Sequence, residues 1–139
     1  MTIAYSTTIR TNRETAVLNA IDGGSTAGVL TIYSGTRPAT GDAVTTALAI
    51  LPLGATSGVK PSGSVSAGVL SLLTNGATGV AAINTGTAIW GRVTDSSGNF
   101  CIDLSVGASG CDINLSSASI TSGQTVSITS GGTITEGNA

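Results

Sequence analysis

The chain has 139 residues, about the length of one domain, and its formal net charge is −2. It contains 20 Gly, 18 Ser and 22 Thr residues, and only 9% of its residues are charged. Five scattered Lys and Arg residues do not form the clustered positive patch that binds a nucleic-acid backbone. The chain has no His, which is the commonest general base and metal ligand, and two Cys residues alone do not complete a structural zinc site. We therefore expect a protein that is not an enzyme, holds no cofactor and binds no nucleic acid.

The hydropathy pattern predicts a folded chain without membrane contact. No apolar run approaches the roughly 18 to 20 residues of a transmembrane helix, and residues 1–10 lack the pattern of a secretory signal. Disordered chains combine low hydrophobicity with high charge, whereas 40% of the residues here are hydrophobic and the mean hydropathy is +0.39. Short runs of Val, Ile and Thr separated by Gly are typical of an all-β domain.

One helix is predicted near the N-terminus. Thr11 and Glu14 have the spacing of a capping box, in which each side chain bonds the other residue's backbone N–H. Val17 and Ile21 then lie four residues apart, as on one helical face, and the glycines at 23–24 end the pattern. We expect a helix over residues 12–22, preceded by an arm or short strand at residues 1–10. Residues 11–139 are expected to form a single domain.

Short strands are predicted over the rest of the chain. Residues 28–33 alternate in polarity, and residues 69–73 form a second short apolar run. The apolar run at residues 45–53 fits a buried strand, with a short helix as the alternative. Asn75 and Gly76 form a turn signal.

The clearest sequence pattern is a β-hairpin. The alternating runs at residues 87–94 and 100–106 flank a polar loop that contains Gly98. Ile113 and Leu115 mark a further strand, with both side chains expected to face inward. The chain thus carries about eight or nine strands at intervals of roughly 8 to 12 residues, which favours an antiparallel β-sandwich of jelly-roll or immunoglobulin type. A β-solenoid is the alternative, but no fixed repeat period is present.

Polar groups along these strands are candidate sites. Cys101 and Cys111 are interpreted as two free thiols, with an intrachain disulfide as the alternative. The loop after Asp95 resembles a calcium loop but lacks most of the required carboxylates, so Asx-turn hydrogen bonds are expected instead. Asp103 and Asp112 form a pair of carboxylates of the kind that glycosidases use, but nothing in the sequence places them together.

Aromatic and basic residues supply the candidate contacts with other proteins. Trp90 lies beside Arg92 in a predicted strand, and Tyr33 precedes a loop that contains Arg37. A Trp on a strand face serves as a core residue, as a subunit-interface residue or as a stacking surface for a sugar. The candidate interface residues are Tyr5, Tyr33, Arg37, Trp90 and Arg92.

Several segments resemble a known family when taken in chain order. They are Asn-Ala-Ile-Asp-Gly-Gly at 19–24, the run from Gly28 to Ala39, Gly-Thr-Ala-Ile-Trp-Gly-Arg-Val-Thr-Asp at 86–95, Ser97-Gly98, Leu-Ser-Val-Gly at 104–107, Asp-Ile-Asn-Leu at 112–115, Ile-Thr-Ser-Gly-Gln-Thr-Val at 120–126 and Ile-Thr-Glu-Gly-Asn at 134–138. This order resembles small virion structural proteins encoded among the head and tail genes of tailed bacteriophages. The resemblance covers the chain from about residue 12 to its end and implies a multicopy particle component without catalytic residues.

The function expected from this resemblance is that of a capsid decoration (cement) protein. Such a protein would sit on the outer surface of the capsid of the virion, bridge subunits of the major capsid protein and pack beside copies of itself as a homo-oligomer. A tail, head–tail connector or fibre-base component is the first alternative. A carbohydrate-binding β-sandwich that uses Trp90 is the alternative from another functional class.

Overall fold

The computed structural model describes residues 3–135, which form one α-helix and a set of short strands. The helix α1 spans Thr7–Ile21. The strands are β1 (Val29–Tyr33), β2 (Ala47–Pro52), β3 (Gly63–Ser66), β4 (Val69–Leu72), β5 (Val80–Ala81), β6 (Gly86–Thr87), β7 (Trp90–Thr94), β8 (Phe100–Gly107), β9 (Ile113–Leu115), β10 (Ser119–Ile120), β11 (Thr125–Val126), β12 (Ile128–Gly131) and β13 (Thr133–Thr135). The predicted fold class, a mostly β domain with one N-terminal helix, is confirmed.

The helix begins five residues earlier than predicted. Ser6 is the N-cap, and its hydroxyl accepts a hydrogen bond from the Ile9 backbone N–H at 3.3 Å. The predicted capping box is wrong, because Thr11 lies inside the helix and its hydroxyl accepts from the N–H of Gly68 at 2.9 Å. Glu14, its expected partner, is buried. Residues 7–10, which were expected in an arm or strand, are therefore helical, and residues 1–2 lie outside the described part.

The C-terminal end of the helix is joined to the strands by a buried hydrogen-bond chain. The Ser62 hydroxyl donates to the carboxylate of Asp22, the C-cap residue, and accepts from the Gly28 N–H at 2.7 Å. The same carboxylate accepts from the Ser62 N–H at 3.0 Å. Since Gly28 precedes β1 and Ser62 precedes β3, this chain sets the helix against both sheets.

The largest sheet has six strands in the order β12-β9-β8-β7-β1-β2. The predicted hairpin is confirmed as β7 and β8, which pair antiparallel around residues 95–99. The apolar run at 45–53 forms a strand and not a helix, because it pairs with β1 as strand β2. The sheet is mixed and not purely antiparallel, since β8 and β9 are parallel through Val106 and Gly107.

Smaller sheets complete the fold. Strands β13, β4 and β3 form a three-stranded antiparallel sheet, while β10 pairs with β6 and β11 pairs with β5. The turn predicted at Asn75 and Gly76 is a 3-10 turn, Asn75–Ala77.

A single apolar cluster lies between these elements. It joins Ile21 of the helix to Leu30 of the large sheet and Leu70 of the three-stranded sheet, all fully buried. Ile113 and Leu115 are buried as predicted. Burial of such aliphatic side chains, about 1.5–3 kcal/mol each, supplies most of the stability, because the core contains few aromatic residues.

Candidate interaction surface

An aromatic stack lies on the face of the large sheet opposite the apolar core. Tyr33 of β1 and Trp90 of β7 are directly opposite each other in the antiparallel register. Their rings are stacked with centroids 4.4 Å apart and an interplanar angle of 15°. Cross-strand aromatic pairs of this kind stabilise the pairing of their two strands.

Arg92 continues this cluster toward β8. Its guanidinium makes a bidentate ion pair with Asp103, with Nε–Oδ1 at 2.7 Å and Nη2–Oδ2 at 2.8 Å. It also lies over the rings of Trp90 and Phe100, at 5.5 and 4.9 Å from their centroids. The hydrogen bonds that Arg92 donates to the Asp103 carboxylate raise the pKa of Arg92 above its ordinary value. The arrangement holds a permanent positive charge between aromatic rings and its carboxylate partner.

The loop at residues 34–46 covers this cluster. The Thr45 hydroxyl accepts from the Trp90 indole N–H at 3.1 Å and donates to the Ser34 carbonyl. Three residues before Thr45 in the same loop, the Asp42 carbonyl accepts a hydrogen bond from Arg92 Nη1 at 2.9 Å. Trp90 is consequently only 1% exposed, although Thr45 and Asp42 are themselves exposed.

This burial corrects the interpretation of three candidate interface residues. Tyr33, Trp90 and Arg92 share one strand face, and the loop at 34–46 makes them interior residues, so Trp90 has the core position that was one of its three interpretations. Strand alternation alone does not reveal a cover that a distant loop provides. The proposed stacking of a sugar on Trp90 needs an exposed ring, which the structure does not provide.

Arg37 is exposed at the edge of an open groove. The groove has a volume of about 480 Å³ and is lined by residues 34–37, Thr87 and Ile89. The Ile89 side chain is 48% exposed. A cation beside exposed aliphatic surface and hydroxyl groups suits a contact with another protein.

Tyr5 is the other candidate residue with an exposed side chain. It precedes the helix, and the Arg13 guanidinium lies over its ring at 5.1 Å from the centroid. Ile3 and Ile9, which were not among the predicted contacts, are also exposed beside it in sequence. The alternation of Ile3 and Tyr5 was the signal available for this apolar segment.

The loop after Asp95 makes Asx-turn hydrogen bonds, as predicted. Asp95 Oδ1 accepts from the N–H groups of Ser97 and Asn99, both at 2.9 Å, and Oδ2 accepts from the Asn99 side-chain amide at 2.7 Å. These bonds, with the Asn99 side chain first, lower the pKa of Asp95. The carboxylate therefore serves to hold the hairpin loop.

Asp103 and Asp112 have separate partners. Asp103 is held by Arg92, whereas Asp112 Oδ2 accepts from both the N–H and the hydroxyl of Ser105 at 2.8 Å. The bonds from Ser105 lower the pKa of Asp112. Within residues 3–135, no group of three or more His, Cys, Asp or Glu side chains is arranged to hold a metal ion.

Both cysteines are half-buried free thiols. Cys101 packs against the apolar core, and this burial raises the pKa of its thiol. Its Sγ lies 3.6 Å from the Asn99 carbonyl, and Sγ of Cys111 lies 3.5 Å from the Ser109 carbonyl. The Cys101 side chain is thus half-covered, although it alternates along β8 with the buried Leu104.

Comparisons with known proteins found no relative. No family model, curated protein or solved structure matches the chain. In the described residues, no helix combines the length and the apolar character needed to span a membrane.

Proposed function

We propose that the chain is a virion structural protein of a tailed bacteriophage, namely a capsid decoration protein. It would bind on the outer surface of the capsid and bridge neighbouring subunits of the major capsid protein, with copies of the chain side by side. The proposal rests on the sequence resemblance and on one structural observation, the open groove in which Arg37 and Ile89 are exposed. Each such contact is modest in area, and repetition over a symmetric shell makes the binding multivalent.

The groove has the chemistry of a protein contact. Its residues supply one cation, the aliphatic side chain of Ile89 and the hydroxyls of Ser34, Thr36 and Thr87. Interfaces are depleted in charge at their centres and keep polar groups at their rims. The ion-paired cluster under the loop at 34–46 supports this role by holding the loop that carries Arg37.

We also propose that the two main sheets form a two-layer β-sandwich of jelly-roll or immunoglobulin type. Support comes from the shared apolar cluster, to which Leu30 of the six-stranded sheet and Leu70 of the three-stranded sheet both belong. A sandwich leaves its outer faces and end loops available for contacts with a shell.

Binding to purified particles that lack the chain tests the proposed function. Recombinant protein is expected to label the heads in negative-stain microscopy, and Arg37→Ala is expected to lower the amount bound. Lys60→Ala is the matched control, because Lys60 is also an exposed cation but bonds the Gly24 carbonyl outside the groove. Labelling confined to tails or to the head–tail junction would contradict decoration and favour a tail or connector component.

A further inference from the structure

A narrow slot lies between strands β8 and β13. Its volume is about 280 Å³, and its walls are formed by residues 102–104 of β8 and residues 133–135 of β13. Asp112 and Gly132 also line it. The two strands belong to different sheets, and no pairing between them is present within residues 3–135. The slot therefore separates two strand edges.

The first half of β8 has an unpaired edge on this side. β8 pairs with β7 over its length, but it pairs with β9 only at Val106 and Gly107. The Val106 N–H donates to the Ile89 carbonyl on the β7 side, so the backbone groups of Ser105 and Asp103 point away from β7. The bond from the Ser105 N–H to Asp112 confirms this direction. The N–H and C=O of Asp103 thus face the slot.

β13 presents the opposite edge. It is the outer strand of its sheet and pairs only with β4. The Gly132 carbonyl accepts from the Leu72 N–H on the β4 side. By alternation, the backbone groups of Thr133 and Thr135 point away from β4 and toward the slot.

Asp112 shows that the slot has the width of one strand. Its side chain accepts from the Ser105 N–H of β8, and its carbonyl accepts from the Gly132 N–H, both at 2.8 Å. Asp112 directly precedes β9, which lies between β8 and β12. On the far side of Asp112 no strand pairs between β8 and β13 in the described residues, and a gap of two strand spacings, about 10 Å, is what one inserted strand needs.

We propose that this slot binds residues 3–6 of a second copy of the chain. The segment would add as a strand between β8 and β13 and join the two sheets of the receiving copy. Such strand addition satisfies the backbone groups of both edges with main-chain hydrogen bonds. Without the partner's strand, the sheet is incomplete.

Residues 3–6 have the conformation and length for this role. They form no helix or strand in the single chain, and Ser6 has extended backbone angles. Ile3 is 58% exposed, so its side chain does not occupy a site in its own copy. Four extended residues span about 13 Å, which is sufficient to cover the three residues of β13.

Charge supports the same occupant. Asp112 supplies an exposed carboxylate at the slot, and no cation is among the residues that line it, although Arg37 acts on Asp112 from outside the slot. Arg10 and Arg13 follow the segment closely, and the first 13 residues contain no Asp or Glu. The incoming segment therefore brings positive charge toward the exposed Asp112 carboxylate.

This inference describes a contact between copies that the proposed function requires, but it is tested in solution without virions. Sedimentation equilibrium of the full chain is expected to show reversible association. Ala4→Pro removes a backbone N–H from the inserted strand and is expected to raise the dissociation constant by about tenfold or more. Thr7→Pro is the matched control, because Pro is tolerated at the first position of a helix, and its association should stay within about twofold of wild type.

A mixing experiment tests the slot and the inserted segment independently of each other. Thr133→Pro removes a slot-facing N–H but leaves residues 3–6 intact, while Ala4→Pro leaves the slot intact. Each variant alone is expected to be monomeric, and a mixture is expected to form a one-to-one dimer. Amide exchange should show concentration-dependent protection of the Asp103 N–H in the wild type.

Three results would overturn the proposal. They are a wild-type chain that stays monomeric at millimolar concentration, an Ala4→Pro variant that associates as strongly as Thr7→Pro, and protection of the Asp103 N–H that is independent of concentration. A high copy number on virions would leave the proposed function standing in each case. If Thr133→Pro does not fold, the comparison of Ala4→Pro with Thr7→Pro still tests whether residues 3–6 bind the slot.

Discussion

Arg92 and Asp103 lie directly opposite each other on β7 and β8, and their side chains form a bidentate ion pair. The pair is nearly buried, with 8% of the Arg92 and 5% of the Asp103 side chain exposed. Phe100 and Trp90 lie against the guanidinium, and the Asp42 carbonyl accepts a hydrogen bond from its Nη1. The ion pair thus connects the central hairpin to the covering loop.

Removing the carboxylate from this pair should be costly. Asp103→Ala leaves the buried Arg92 charge without its main partner, which is expected to lower the free energy of unfolding by about 3–5 kcal/mol. Urea denaturation measures the change. Asp42→Ala is the control, because Asp42 bonds Arg92 through its backbone carbonyl and its carboxylate has the weakest of the electrostatic effects on Arg92, so stability should change by less than about 0.5 kcal/mol. A loss below about 1 kcal/mol for Asp103→Ala would contradict the account.

The fluorescence of Trp90, the only Trp in the sequence, tests whether the loop at 34–46 covers its ring. Thr45→Val removes the acceptor for the Trp90 indole and the donor to the Ser34 carbonyl, so the loop at 34–46 is expected to be held less tightly. Acrylamide should then quench Trp90 fluorescence more strongly than in the wild type. Thr46→Val should behave like the wild type, because Thr46 bonds Ser34 through its backbone carbonyl. Equal quenching in all three proteins would show that Thr45 does not hold the cover.

Of the hydroxyl groups near helix α1, we expect the loss of the Ser62 hydroxyl to lower the free energy of unfolding most. Ser62→Ala leaves the buried Gly28 N–H without its acceptor and removes one bond to Asp22, which should cost about 1–3 kcal/mol. Ser64→Ala is the matched control, since Ser64 is exposed on the adjoining strand. Thermal unfolding that is lowered equally by both substitutions would be inconsistent with this hydrogen-bond chain.

Acid should destabilise the protein through its hydrogen-bonded carboxylates. Hydrogen bonds from Asn99 lower the pKa of Asp95, and those from Ser105 lower the pKa of Asp112, relative to the unfolded chain. Between the folded and the unfolded pKa values, the unfolded state binds more protons than the folded state. The stability that these two carboxylates contribute is therefore complete above the unfolded pKa, and it is lost as the pH falls through the folded pKa. The double variant Asp95→Asn, Asp112→Asn should show a shallower loss of unfolding free energy between about pH 5 and 2. An unchanged slope would exclude these two groups as its source.

The local elements were predictable because their signals are local. The polar loop at 95–99 with Gly98 fixed the hairpin, and alternation placed Ile113 and Leu115 inward. The opposite charges of Arg92 and Asp103 on the same outward face were also readable from the hairpin. Their pairing could have been predicted, because opposite charges are favoured across neighbouring strands.

Long-range contacts account for what the sequence did not reveal. The Thr11 and Glu14 capping pattern failed because Thr11 instead bonds Gly68, which is 57 residues away. Trp90 was placed on the correct face, but its burial depends on Thr45, which is 45 residues away and belongs to an irregular loop. The parallel pairing of β8 with β9 likewise follows from the crossover between them and not from alternation.

The copy number of the chain per virion tests the central claim most directly. Quantitative mass spectrometry of purified particles compares peptides of this chain with peptides of the major capsid protein. Decoration of a symmetric shell predicts on the order of hundreds of copies per particle, in a fixed ratio to the major capsid protein. About six to twelve copies per particle would contradict decoration, because that number matches a connector or tail ring.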